Sequence, residues 1–277
     1  MTSLAVPESG YIIMLLAKMA ITMAIVVGSS FIVERTGPFI GGMIATLPIS
    51  AGPSYIFLAL DHDSAFIASA ALTTLTANAS TMIFVTVYAR LAQTYGLIRS
   101  LGIGWIVWGA IMTVFSAVPW TLSTAIGTNV IAFAIAFSSC RHYLAVPKAG
   151  ILQRSRWDIP LRAFSVVLLV GVVIILGNVA GPKAAGIAAP FPIVLSSLAI
   201  MLHPRLGGPL AAATLSNSLP GLAGFGFAIV TAHLCAIPLG SAWALSLALL
   251  VSIVWNAALV MHNRLKSRAR SHEERKS

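Results

Sequence analysis

Runs of roughly twenty apolar residues follow one another along the chain, at about 11–33, 37–60, 64–90, 100–118, 120–139, 163–180, 183–203, 208–235 and 239–261. No other feature narrows the fold as far. Backbone N–H and C=O groups cannot go unpaired in hydrocarbon, so a run of this length crosses a bilayer as an α-helix, which satisfies them within the segment. Only 9% of the 277 residues are charged and 58% are apolar, whereas soluble domains carry about 25% charge. The expected fold is an all-α polytopic membrane protein with nine transmembrane helices.

The cations orient those spans. With nine spans and the N-terminus outside, the inner segments are 34–36, 90–100, 140–162, 203–207 and the C-terminal tail. They hold 15 of the 17 Lys and Arg residues, leaving only Lys18 and Lys183 on the outer side. This is the positive-inside distribution. The net charge of +10 then reflects topology rather than nucleic-acid binding, which needs the cations gathered on one solvated face. The reading is a multi-pass protein of a bacterial-type inner membrane with a cytoplasmic C-terminus. MTSLAVPESG has Glu8 and no basic n-region, so it reads as mature sequence rather than a cleaved signal. Cys140 and Cys235 fall at opposite membrane faces, out of reach of each other, and no metal-binding spacing occurs.

A second feature divides the chain into halves. GPFIGGMIATLPI at 37–49 returns 144 residues later as GPKAAGIAAPFPI at 181–193, with six identities in thirteen positions. Lys18 and Arg162 each stand 19 residues before their Gly-Pro, and Thr73 and Thr74 align with Ser216 and Asn217 at an offset one shorter. The chain then reads as 1–139 (first repeat plus a linker helix), 140–162 (cytoplasmic loop), 163–261 (second repeat) and 262–277 (basic cytoplasmic tail, expected to be disordered). The repeats begin five spans apart, and an odd offset inverts one half relative to the other. Inverted repeats with Gly/Pro-interrupted helices mark secondary transporters, and the architecture resembles that broad class in bacteria, although no family motif carries residues over.

The interrupted spans are the second, with Pro38, Pro48 and Pro53, and the seventh, with Pro182, Pro190 and Pro192. Each interior proline removes a helical N–H and orphans a carbonyl, which protein, water or a ligand must then satisfy. The expected substrate-binding set clusters about these breaks. It comprises Thr46, Pro48, Ser50 and Ser54 in span 2, and Pro190, Pro192, Ser196 and Ser197 in span 7. Thr73, Thr74 and Asn78 join them from span 3, and Ser216 and Asn217 from span 8. Lys18 and Arg162 would supply charge at the two mouths for a small anionic solute, because a buried anion needs a cation or hydrogen-bond donors. The competing reading of Lys18 is snorkelling to headgroups, and that of the hydroxyls and amides is helix-to-helix contact. Asn129, Asn256 and His233 read as such contacts rather than site residues.

No carboxylate lies in mid-span, and the GxSxG, HExxH and Walker A patterns are missing, so no enzyme is expected. No cofactor is expected either. The partners are the lipid bilayer and a small-molecule solute, not nucleic acid, with self-association into a homo-oligomer left open. A permease working by alternating access is the leading expectation. A passive channel and a non-transporting scaffold or assembly subunit are the alternatives.

Overall fold

The computed structural model describes residues 9–35, 51–143 and 158–274, and these form helices joined by short turns. The helices are α1 (Ser9–Arg35), α2 (Ala51–Asp61), α3 (Ser64–Leu91), α4 (Leu97–Ser116), α5 (Leu122–Cys140), α6 (Asp158–Ala188), α7 (Ile193–Leu206), α8 (Gly208–Ser216), α9 (Leu219–Leu239) and α10 (Ser241–Glu274). Six segments among the described residues are long and apolar enough to cross a membrane: α3, α4, α5, α6, the α8–α9 stretch and α10. Shorter apolar helices lie at Ile12–Gly28 and Ile193–Leu206. Large apolar side chains point outward over the molecule, Ile98, Ile106, Val179, Ile237 and Trp243 among them. A water-soluble protein does not expose apolar surface on this scale. The chain has the build of a helical, multi-pass membrane protein.

α3 is the central post. Buried residues make up 78% of its apolar window, against 22% for α5 and for α10. Its N-terminal half joins one core with α2, α9 and the start of α10, around Leu58, Ile67, Leu75 and Ile229. Its C-terminal half joins another with α4, α5, α7 and α8, around Phe84, Tyr88, Leu101 and Leu215. α3 and α9 run antiparallel, since His233 reaches the Ala68 carbonyl while Asn78 reaches that of Leu222. α1 and α6 also run antiparallel: Lys18 and Met14 lie beside Asn178, Met19 meets Gly171, and Val26 shares a core with Ala163 and Val166. At the periphery α2 packs on α10, and α7 packs on α4.

Three glycines make the sharp corners. Gly181 (φ 79°), Gly207 (φ 82°) and Gly240 (φ 82°) hold a backbone region essentially restricted to glycine. At Gly181 the chain folds back, so that a Cβ on Gly177 would lie 3.6 Å from that of Ala185. A straight helix would separate those residues by about 12 Å at 1.5 Å per residue. Spans 6 and 7 are therefore joined by a one-residue corner inside α6, whose short arm is residues 182–188.

Three features differ from the expectation. α6 begins at Asp158, inside the segment expected to be loop. Span 8 is interrupted between Ser216 and Leu219, where Pro220 supplies no N–H for the Ser216 carbonyl. Span 9 continues as helix to Glu274, so the residues of the expected disordered tail up to that point are helical. That stretch, rich in Arg, Lys and Glu and free of Gly and Pro, has strong helix propensity. Of span 2 only the part from Ala51 is described, and the first copy of the Gly-Pro repeat lies outside the described residues.

Candidate functional site

The expected seventh span is discontinuous, and the cause is local. The short arm of α6 keeps its helical hydrogen bonds as far as Ala189 N–H to the Ala185 carbonyl. The Gly186 carbonyl would accept from the N–H of residue 190, but that residue is proline. Regular helix resumes only at Ile193, with Pro192 as its N-cap.

The orphaned carbonyls are taken up by side chains. Thr74 Oγ1 donates to the Gly186 carbonyl at 2.9 Å, and the Tyr55 hydroxyl of α2 donates to Thr74 at 2.7 Å. Two turns along α3, Thr81 Oγ1 lies 2.9 Å from the Pro190 carbonyl and accepts the Trp108 indole N–H at 3.2 Å. Trp105 donates to Ser196 Oγ at 3.0 Å, and Ser196 Oγ adds a bond at 2.6 Å to the Pro192 carbonyl, which already accepts the Ser196 N–H at 2.8 Å. Phe191, in the break itself, packs edge-on against Trp108 with ring centroids 5.1 Å apart. The short arm can come this close because residue 186 is glycine: a Cβ there would lie 2.5 Å from the Ala70 carbonyl oxygen and 2.7 Å from Thr73. Threonines seven residues apart on α3 and two indoles of α4 thus clamp the broken span from both sides.

Beside the short arm lies a cavity of about 200 Å³ between α3, α4 and the turn into α5. Ser69, Thr73 and Thr76 form one wall, Phe115 and Trp120 the opposite one, and Lys183 stands at its edge. A second cavity, about 180 Å³, lies by Lys18, Asp61 and Asn178. Among the described residues no group of three or more His, Cys, Asp or Glu side chains comes together as a metal site.

The expected site residues divide into four groups. Thr74, Pro190, Pro192 and Ser196 meet at the clamp, and Thr73 lines the larger cavity. Asn78 belongs to a separate buried network, donating to Asn129 Oδ1 and to the Leu222 carbonyl, each at 3.0 Å. Asn129 in turn bonds the Leu75 carbonyl at 2.6 Å, so this pair ties α3 to α5 and α9. Ser54, Ser197 and Ser216 are buried elsewhere, and Asn217 is exposed and bonds the Ala213 carbonyl of its own turn. Equal sequence offsets therefore do not bring Ser216 and Asn217 to the position that Thr73 and Thr74 occupy. Thr46, Pro48 and Ser50 lie outside the described residues, as does the side chain of Arg162.

Lys18 has a partner the sequence reading did not give it. Its Nζ contacts both carboxylate oxygens of Asp61, at 2.6 and 2.5 Å, and sits 5.9 Å from the Phe57 ring centroid. Asp61, at the end of α2, reaches back into the wall of the bundle and neutralises it. His233, matched in sequence with Arg90, bonds the Ala68 carbonyl at 2.8 Å. Thr81, Trp105, Trp108 and Lys183 stand at the clamp or the cavity but outside the expected set. The 74/81 spacing, which puts both threonines on one helix face, was the available signal for Thr81.

No family model, curated protein or solved structure matches this chain.

Proposed function

We propose that this protein is a secondary transporter that moves a small solute by alternating access, with the discontinuous seventh span as its working part. One observation carries the reading: in a span broken at Ala189–Pro192, the Gly186 and Pro190 carbonyls are held by threonines of α3. Side-chain bonds of this kind can exchange partners with a solute or with an alternative packing, which a continuous backbone ladder cannot. Such breaks are tolerated at membrane depth only inside the protein or beside a cavity, and here a cavity adjoins the short arm.

The helix pairing supports an inverted repeat. The repeat equates α1 with α6, α2 with α7, α3 with α8–α9 and α4 with α10. Equivalent helices must then lie antiparallel where they meet, as α1 and α6 do, and likewise α3 and α9. The peripheral contacts are reciprocal as well, α2 on α10 matching α7 on α4. α5 has no counterpart and joins the halves.

A scaffold is the second reading. The Gly186, Pro190 and Pro192 carbonyls already have partners, as they would if the hydroxyls served packing alone. Flux separates the readings. Purified protein in liposomes, loaded in turn with labelled anionic, neutral and cationic metabolites, should release at least one of them, faster when the same unlabelled solute is outside. Such acceleration belongs to a carrier, release without it to a channel, and no release of any solute would leave the scaffold.

A further inference from the structure

We infer that the cavity beside the short arm of α6 binds a small organic monocarboxylate, with Lys183 as its charge partner and the α4 side as the seat of its apolar body. The inference rests on the transporter reading for its physiological purpose and on the cavity for its chemistry.

The starting point is a cation out of place. The positive-inside rule leaves only Lys18 and Lys183 on the outer side of the sequence-derived topology. Asp61 accounts for Lys18. Lys183 has no carboxylate partner among the described residues, and it stands two residues beyond the Gly181 corner at the edge of the larger cavity. Lys183 is exposed at the cavity's edge, so its ammonium is open to an anion entering there.

The walls define the ligand class. Phe115, Trp120, Met112 and Ile187 are apolar or aromatic, and the Trp120 N–H is already committed to the Phe115 carbonyl at 2.8 Å. The hydroxyls around it are largely committed: on α3 Thr73 donates to the Ser69 carbonyl and Thr76 to that of Thr73, and on α4 Ser116 donates to the Thr113 carbonyl. With those hydroxyl protons engaged, few donors remain besides the Lys183 ammonium and the Ser69 hydroxyl. A polyanion such as phosphate needs several donors and a second positive charge, neither of which lines this cavity. One carboxylate on an apolar body matches one ammonium on an apolar wall.

The test is equilibrium binding of benzoate and butyrate to the full-length protein in phosphatidylcholine nanodiscs. It is read by calorimetry and by tryptophan fluorescence, with benzamide and benzylamine as neutral and cationic counterparts. Benzoate should bind saturably, benzamide and benzylamine much more weakly. Lys183→Ala should weaken benzoate about tenfold or more, the loss of one charged partner. Lys18→Ala should leave benzoate affinity unchanged, and Trp120→Phe should remove the fluorescence response. Unliganded melting temperatures show whether each variant is folded. Equal affinity for benzoate and benzamide, or full affinity in folded Lys183→Ala, overturns the inference, as does no binding of either carboxylate. Phosphatidylglycerol nanodiscs distinguish a lipid headgroup: if that lipid abolishes benzoate binding, the cation serves the membrane and the inference fails. Benzoate binding without benzoate flux would keep the site and discard its use in transport. Flux of another solute in a protein that binds no carboxylate would discard the site and keep the carrier.

Discussion

At the scale of single residues, the decisive chemistry is a threonine hydroxyl meeting a carbonyl in the broken stretch. Thr81 serves two groups beyond its own helix, the Pro190 carbonyl and the Trp108 indole, besides the Ala77 carbonyl one turn back. Valine has the same shape and would leave both unpaired. A buried polar group without a partner costs about 1–3 kcal/mol, although interhelical hydrogen bonds in membranes average only ~0.6 kcal/mol. Residue 190 offers Gly186 no alternative N–H donor, and Thr81 serves two groups together, so Thr74→Val and Thr81→Val should both fall well above that membrane average. Thr86→Val is the control, since its hydroxyl bonds only the Met82 carbonyl one turn back on the same helix. Thermal unfolding in detergent should show clear losses for the first two and little change for the third. Equal losses for all three would mean that the clamp contributes no more than an ordinary helix hydroxyl.

Among elements, the informative join is between α1 and α2, which the Lys18–Asp61 pair ties together. Both groups keep some contact with the outside, with side-chain exposures of 10% and 21%. Removing one partner should therefore cost near the lower end of the 3–5 kcal/mol typical of a fully buried pair, about 3 kcal/mol. Lys18→Leu and Asp61→Leu should each destabilise, and the double variant should recover much of the loss, because it leaves no unpaired charge in an apolar wall. A double-mutant cycle on melting free energies measures this coupling. Additive losses would show that the pair is not coupled and return Lys18 to the role of a free cation. α6 makes the same point about context. Its short arm reaches α3 only because residue 186 lacks a side chain, so helix geometry and side-chain clamp depend on each other.

For the whole molecule, the open question is which ends face which side. The cation distribution places the α4–α5 turn outside and the α3–α4 turn inside. In a variant lacking both native cysteines, Val118→Cys should react with a membrane-impermeant thiol reagent applied to intact cells. Tyr95→Cys should react only after the membrane is opened. The reverse pattern would invert the topology, moving Lys183 and its cavity to the cytoplasmic side. Equal labelling of both in intact cells would contradict a fixed orientation.

Much of this was legible in the sequence, for identifiable reasons. Apolar run length and low charge determine that the chain is a bundle of apolar helices, because hydrocarbon allows the backbone few other solutions. The Gly-Pro repeat located the break before Ile193, because proline's missing N–H is a local property that needs no knowledge of neighbours. The sharp corner at Gly181 sits at the start of that same motif. What the sequence could not assign was partnership. Lys18 and Asp61 are 43 residues apart and Thr74 and Gly186 are 112 apart, and no periodicity connects them. Asn217 shows the limit from the other side: it aligns with Thr74 in the repeat yet is exposed, because Pro220 bends span 8 just beyond it. Which polar groups meet depends on how the helices cross and turn, and that is decided only when the bundle packs.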